Sequence, residues 1–151
     1  MPRILLVLVT VLLCACAGQR PQTEPAYLSS AETREAGLPF SEAVRVGPLL
    51  FVSGQIGSPP GAPEVVPGGI EAEARQALEN VASILRRHGS SMDRVVKCTV
   101  FLADVSEWAA FNAVYVEFFE ADALPARSAL GANGLALGAR VEVECIAAVD
   151  G

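Results

Sequence analysis

Two spacings of apolar residues divide most of the chain into seven elements of secondary structure. Short runs rich in β-forming residues flank Gly47-Pro48, which is typical of a hairpin, and later runs alternate as strands do. Two other stretches repeat apolar residues every three and four positions, which predicts amphipathic helices. The predicted strands are 43–46, 49–53, 95–102, 127–130 and 140–149, and the predicted helices are 70–87 and one capped by Ser106. The order ββαβαββ predicts an α+β domain with two helices on one face of a sheet.

The same periodicities predict which side chains are buried. The second helix should bury Trp108, Phe111, Val114, Tyr115 and Phe118, and the strand at 95–102 should bury Val96, Cys98 and Val100. By strand parity, Cys98 and Cys145 both point toward the helices. They can form a disulfide in an oxidising compartment, but we expect two buried thiols. Whether the two sulfur atoms lie within bonding distance depends on geometry that parity does not give.

The last predicted strand has one apolar and one acidic face. Residues 141, 143 and 145 are apolar and should meet the helices, whereas Glu142 and Glu144 point the other way, about 7 Å apart along the strand. The acidic face is either solvated or covered by a second subunit, with one carboxylate lining a site between the subunits. Three more apolar sheet residues need a cover that one helix layer cannot give, which favours an oligomer. These residues are Leu49, Phe51 and Ile146.

The N-terminus has the pattern of an export signal. Arg3 precedes an apolar run at 4–13, which is too short to span a membrane, and small residues follow. We predict a signal peptide at 1–15, of the lipoprotein type, with Cys16 as the lipidated residue of an exported, periplasmic and membrane-tethered protein. Ordinary secretion after Ala17 and a buried N-terminal element are the alternatives. Residues 16–37 lack apolar periodicity and are predicted to form a flexible tether before a domain at 38–151.

Composition narrows the classes of chemistry. The length of 151 residues fits one domain, and the net charge of −6 disfavours binding to phosphate backbones. A single His and four Cys, without metal-ligand spacing, predict no metal site.

Six segments, taken in order, resemble the Rid (reactive intermediate deaminase) family, also called the YjgF or endoribonuclease L-PSP-like family. The segments are 51–55, 73–80, 96–102, 111–119, 124–128 and 141–147, which include Phe51-Val52-Ser53-Gly54-Gln55 and Leu124-Pro125-Ala126-Arg127-Ser128. The resemblance implies a chorismate-mutase-like fold and a homotrimer with sites in the clefts between subunits. It also implies hydrolysis of enamines or imines to 2-keto acids and ammonia, as by a 2-iminobutanoate/2-iminopropanoate deaminase, without cofactor or metal.

The resemblance also suggests roles for individual residues. Arg127 stands where the family binds the substrate carboxylate, a task that suits a guanidinium with two parallel donors. Glu142 matches the family's site glutamate, which can orient a water molecule and shuttle its proton. Further pocket positions are Ser53, Asn112, Phe40 and Ala129.

Two pocket positions depart from the family pattern. Phe40 stands where the family usually has tyrosine, and Ala129 where it often has cysteine. A hydroxyl and a thiol are therefore missing, so carboxylate binding should survive better than the usual substrate preference. A non-catalytic carboxylate-binding or chaperone-like trimer is the alternative function, and a ribonuclease is disfavoured by the acidic charge.

Overall fold

The computed structural model describes residues 24–149, which form one mixed sheet covered by helices on one side. Its strands are β1 (Ala26–Leu28), β2 (Ala43–Val46), β3 (Leu49–Ile56), β4 (Val95–Leu102), β5 (Ala126–Gly131) and β6 (Val141–Ala148). Its helices are α1 (Ala31–Glu35), α2 (Ile70–Arg87) and α3 (Trp108–Tyr115). The predicted signal peptide and Cys16 lie outside the described residues.

The strand order is β1-β2-β3-β6-β4-β5, and every neighbouring pair is antiparallel except β4 and β5, which are parallel. The long helix α2 packs on β3, β6 and α3, so α2 and α3 cover the same face of the sheet. Buried Leu, Val and Ala side chains fill the space between the two layers. The α+β fold predicted from the sequence is therefore confirmed. No helix within residues 24–149 is both long and apolar enough to cross a bilayer.

The folded part of the chain begins earlier than predicted. The tether was expected to continue to residue 37, but β1 pairs with β2 and α1 follows it, with Ser30 Oγ accepting a hydrogen bond from Thr33 N. The side chains of β1 are mostly exposed, and backbone hydrogen bonds to β2 at the sheet edge hold this strand in place. Such a strand needs no apolar pattern, so hydrophobic periodicity could not reveal it.

The start of the second long helix also differs from the prediction. Asp104, not Ser106, is the cap: its side chain accepts a hydrogen bond from Ser106 N at the start of a 3-10 turn, and α3 begins at Trp108. Trp108 is 46% exposed and donates from Nε1 to Asn112 Oδ1, whereas Phe111 is fully buried. Trp108 is the first residue of α3, and its indole lies along the helix against Asn112 rather than in the core.

A register shift explains a further wrong prediction in β4. The pairing of β4 with β6 slips between Val95 and Lys97, so Val95 takes the buried position and Val96 is 48% exposed. Beyond this irregularity the expected alternation resumes, with Cys98 and Val100 fully buried.

The prediction of two free thiols is wrong. Cys98 and Cys145 are cross-strand partners on β4 and β6, with their Cα atoms 4.1 Å apart, and they form a disulfide. Parity correctly places both side chains toward the helices, but only the register between the strands brings them directly opposite each other. The bond links the neighbouring strands β4 and β6 beneath the helices.

Candidate functional site

The sheet face opposite the helices, here called the open face, carries Glu142. Its strand neighbours Val141 and Val143 are fully buried under the helices, so the intervening Glu142 points away from them, as predicted. In the sheet, Glu142 pairs with Ile56 on one side and Phe101 on the other. The carboxylate therefore stands between apolar neighbours on a face that the described chain leaves uncovered.

A bulge in β3 makes room for the Glu142 carboxylate. Val52 pairs with Cys145 and Gln55 with Val143, so Ser53 and Gly54 together oppose one residue of β6. A Cβ atom on Gly54 would lie 1.9 Å from Glu142 Oε1. Gly54 is therefore a glycine because the carboxylate occupies the space of a side chain.

Ser53 is held by the loop that carries Phe40. Its hydroxyl donates to Ser41 O at 2.7 Å and its backbone N–H donates to Glu42 O at 3.0 Å. Phe40 directly precedes this anchor and is 52% exposed. We call Phe40, Ser53, Gly54 and Glu142 the carboxylate half-site.

Arg127 lies on the other face of the sheet. It is the register partner of Cys98, which points into the helix-covered core, and both side chains share that direction. The guanidinium carbon stands 4.5 Å from the ring centroid of Tyr115 and 5.8 Å from that of Phe111, both on α3. These distances are typical of cation–π contact.

The stacking fixes Arg127 without using its hydrogen-bond donors. Among residues 24–149, no carboxylate or carbonyl group pairs with the guanidinium. The aromatic rings hold one flat face of the group, whereas its N–H donors lie in the plane and stay available. An arginine oriented in this way is suited to bidentate binding of a carboxylate.

Tyr115 is a member of the site that the sequence pattern did not single out. It is 3% exposed, and its hydroxyl is buried without a hydrogen-bond partner among residues 24–149. Burial raises the pKa of the Tyr115 phenol, and the positive charge of Arg127 offsets part of this rise. The pattern assigned Tyr115 to the core, where its ring indeed lies. Only its contact with Arg127 reveals a second role.

Asn112 and Ala129 lie on the elements that hold Arg127. Asn112 is on α3, one turn before Tyr115, and its Oδ1 accepts from Trp108 Nε1 at 3.1 Å. Ala129 is two residues after Arg127 on β5 and packs against the core. We call Asn112, Tyr115, Arg127 and Ala129 the arginine half-site.

One chain does not bring Arg127 and Glu142 together. They project from opposite faces of the sheet, and β4 separates their strands, so two strand spacings of about 10 Å lie between β5 and β6. No side-chain rotation moves either group through the sheet. A pocket containing both groups therefore requires residues from two copies of the chain.

The open face has the character of a surface that another chain covers. Phe51 is 40% exposed there, and it borders a depression of about 100 Å³ together with Thr99 and Ile146. Lys97 lies on the same face and donates from Nζ to Ser128 Oγ at 2.8 Å. Exposed apolar side chains on a sheet are typical of an interface.

Comparisons with known proteins agree with the fold. The family model described as Endoribonuclease L-PSP matches residues 31–149. A 2-iminobutanoate/2-iminopropanoate deaminase of Capra hircus is 42% identical over 120 residues, which cover 80% of this chain and 87% of the relative. The human protein of the same name is 39% identical over the same shares of both chains. The crystal structure of YyfA, a conserved Rid-family protein of Yersinia pestis, matches with a TM-score of 0.76 and 32% identity, covering 83% of this chain and all of that one.

Proposed function

The chain belongs to the Endoribonuclease L-PSP family, which includes the Rid and YjgF proteins, and on this premise we propose that it is a Rid-type deaminase. Its substrates are reactive enamine or imine intermediates of 2-amino acids, and its products are 2-keto acids and ammonia. The observation that carries the proposal is Arg127, whose guanidinium is stacked on Tyr115 with its donors unengaged by the described residues. Relatives at about 40% identity are named deaminases of this kind.

The two half-sites supply complementary parts of the reaction. Arg127 binds the substrate carboxylate through two parallel hydrogen bonds and so places the imine carbon. Glu142 accepts a proton from a water molecule while the water oxygen bonds to that carbon. As the oxygen bonds, the π pair of the C=N bond moves to the nitrogen of the protonated imine, which then takes the proton from Glu142. The C–N bond breaks with its electron pair leaving on ammonia, while the hydroxyl gives its remaining proton back to Glu142 and the carbonyl forms. Ser53 and Asn112 hydrogen-bond the water or the substrate, and Phe40 packs over it.

We further propose that the protein is a homotrimer whose sites lie between subunits. The support is the separation of Arg127 and Glu142 by the sheet, together with the apolar open face that includes Phe51. In such an assembly each cleft receives the arginine half-site of one subunit and the carboxylate half-site of its neighbour. Size-exclusion chromatography with light scattering should give three times the chain mass. A monodisperse monomer would contradict the interfacial site.

The assay follows 2-imino acids generated in situ by an amino-acid oxidase. The protein should accelerate their loss, and Arg127→Ala should remove the gain, because the substrate carboxylate loses its partner. Arg86→Ala, at an exposed position in the last turn of α2, is the matched control and should keep the wild-type rate. Equal rates with and without the protein, across several imino acids, would overturn the proposal.

A non-catalytic binder of small carboxylates is the second candidate, favoured by the missing hydroxyl at Phe40 and the missing thiol at Ala129. It predicts thermal stabilisation by 2-keto acids that depends on Arg127, without turnover. A ribonuclease is disfavoured by the net charge of −6.

We propose that the protein is exported to the periplasm and tethered to a membrane through a lipid on Cys16. The support is the apolar run at 4–13 and the Cys98–Cys145 disulfide, because disulfides persist mainly in oxidising compartments. Intact-mass spectrometry of the mature protein tests this. We expect a chain that starts at a diacylated Cys16; an unmodified start after residue 17 would indicate ordinary secretion instead.

A further inference from the structure

A group of polar and charged side chains around the buried carboxylate of Glu42 lies outside both half-sites. Glu42 is 4% exposed, and its Oε1 accepts from Arg87 Nη1 at 2.7 Å and lies 2.6 Å from His88 Nε2. Its Oε2 accepts from Thr33 Oγ1 at 3.0 Å. We call Glu42, Thr33, Arg87 and His88 the Glu42 cluster. It joins α1, the start of β2 and the end of α2.

The other three residues of the Glu42 cluster all contact the single carboxylate of Glu42. Burial by itself would raise the pKa of Glu42, yet the hydrogen bonds from Arg87, His88 and Thr33 lower it to about 2. The group therefore stays charged and bonded throughout the neutral range. A buried carboxylate with several donors fixes its own backbone, because breaking the arrangement would leave a charge unpaired.

The backbone fixed in this way is the anchor of Ser53. The carbonyl of Glu42 accepts from Ser53 N at 3.0 Å, and the preceding carbonyl, of Ser41, accepts from the Ser53 hydroxyl at 2.7 Å. Ser53 and Gly54 form the bulge, and Gly54 lies against the Glu142 carboxylate. A continuous chain of contacts therefore runs from the end of α2 to Glu142.

We propose that Glu42 is a positioning residue for the carboxylate half-site. Its side chain anchors the backbone at Ser41 and Glu42, that backbone sets Ser53 and Gly54, and Gly54 leaves the space in which Glu142 stands. Glu42 itself contacts no reacting atom. The effect of Glu42 on the backbone at Ser53 and Gly54 does not depend on the activity of the protein, whereas its effect on catalysis rests on the deaminase function proposed above.

Amide hydrogen exchange on the purified protein tests the structural step without any activity assay. Glu42→Gln keeps the size of the side chain but removes the charge that its donors share. We expect the Ser53 amide to exchange at least tenfold faster, whereas the Val100 amide in β4 should be unchanged. Glu79→Gln, at an exposed position on α2, is the matched control and should alter neither amide. Unchanged Ser53 exchange, or equal acceleration at Val100, would overturn the proposal.

A double-mutant cycle tests the catalytic step. Glu42→Gln should lower kcat about tenfold with little change in KM, because substrate binding depends on Arg127 in the other half-site. In a Ser53→Ala background the same substitution should cost less than threefold. Full additivity of the two changes would contradict action through Ser53. If Glu42→Gln does not fold, Thr33→Val serves instead, because it removes one hydrogen-bond donor to Glu42. It should speed Ser53 amide exchange about threefold and lower kcat about threefold.

The two tests separate this proposal from the proposed function. If the wild-type protein hydrolyses no imine, the deaminase proposal fails, and the Ser53 and Val100 amides still decide whether Glu42 positions the bulge. If hydrolysis is normal in Glu42→Gln and Ser53 exchange is unchanged, the positioning role fails while the deaminase function stands.

Discussion

Replacing Gly54 with alanine tests whether the Glu142 carboxylate must occupy its present position. The new Cβ would lie 1.9 Å from Glu142 Oε1, 2.7 Å from Cδ and 3.0 Å from Cγ. These atoms belong to the end of a flexible side chain. The φ angle of Gly54 is not in the left-handed region, so an alanine can adopt the backbone without strain. The substitution should therefore displace the carboxylate and leave the fold intact.

The expected magnitudes follow from the overlap. The Glu142 carboxylate must retreat by about 1.5 Å to reach ordinary contact distance. A strained rotamer costs about 1 kcal/mol, and the loss of glycine freedom in the unfolded chain offsets this by about 0.4–1 kcal/mol. The free energy of unfolding should thus change by less than about 1 kcal/mol. A displacement of this size at a group that handles the proton should lower kcat about 100-fold.

Gly57→Ala provides the matched control. A Cβ there would lie 2.5 Å from Glu73 Cα and 2.6 Å from Glu73 Cβ, so it would collide with the backbone of α2, which cannot swing away. This change should cost about 1–3 kcal/mol of stability or more. Urea unfolding and the imine assay on both variants separate the two effects.

Two results would refute the role of Gly54. A normal kcat in Gly54→Ala would show that the position of the Glu142 carboxylate does not limit the reaction. Destabilisation as large as that of Gly57→Ala would show that the bulge cannot absorb a side chain. If the reasoning holds, adding Gly54→Ala to Glu142→Gln should cause little further loss of rate, since the group it displaces has already lost its function.

Three further predictions concern other parts of the structure. Tyr115→Leu should raise KM about tenfold, because it removes the ring beneath Arg127. Tyr115→Phe keeps the ring and removes a buried hydroxyl without a partner among the described residues, so KM and stability should be unchanged or improved. An equal rise in KM in both variants would contradict the stacking role. Reduction of the Cys98–Cys145 bond, which closes a sequence separation of 47, should lower the free energy of unfolding by about 2–4 kcal/mol in urea titrations; an unchanged midpoint with reductant would contradict this. Because the pKa of Glu42 is lowered to about 2, its ionised form contributes about 3 kcal/mol to the free energy of unfolding. This contribution is complete above pH 4.5 and is lost as the pH falls toward 2. In urea titrations from pH 6 to 2, the free energy of unfolding of Glu42→Gln should therefore change less than that of the wild type.

Local patterns in the sequence predicted much of the fold. The helix expected at 70–87 is observed at Ile70–Arg87, because the i, i+3, i+4 repeat is a property of a single helix and needs no partner to be recognised. The alternation in β6 likewise placed Glu142 on the face away from the core. Six of the eight half-site residues came from the family resemblance, whereas Gly54 and Tyr115 were recognised only from their contacts with Glu142 and Arg127.

The parts that the sequence did not reveal depend on how separate segments align. Periodicity says which face a residue takes within one strand, but a bulge changes that face, as at Val96, and only pairing with another strand shows it. The register between β4 and β6 turned two expected thiols into a disulfide. The edge strand β1 is held by backbone bonds that carry no side-chain signal.

The sequence by itself determined the order of the seven elements from β2 to β6, the helix-facing residues of the last strand and the family. Only the tertiary structure placed Arg127 and Glu142 on opposite faces of the sheet, stacked the first on Tyr115, and set the second against Gly54. The physical reason is that side-chain direction follows from local backbone geometry. Contacts between distant residues follow instead from strand register and layer packing, which involve the whole chain.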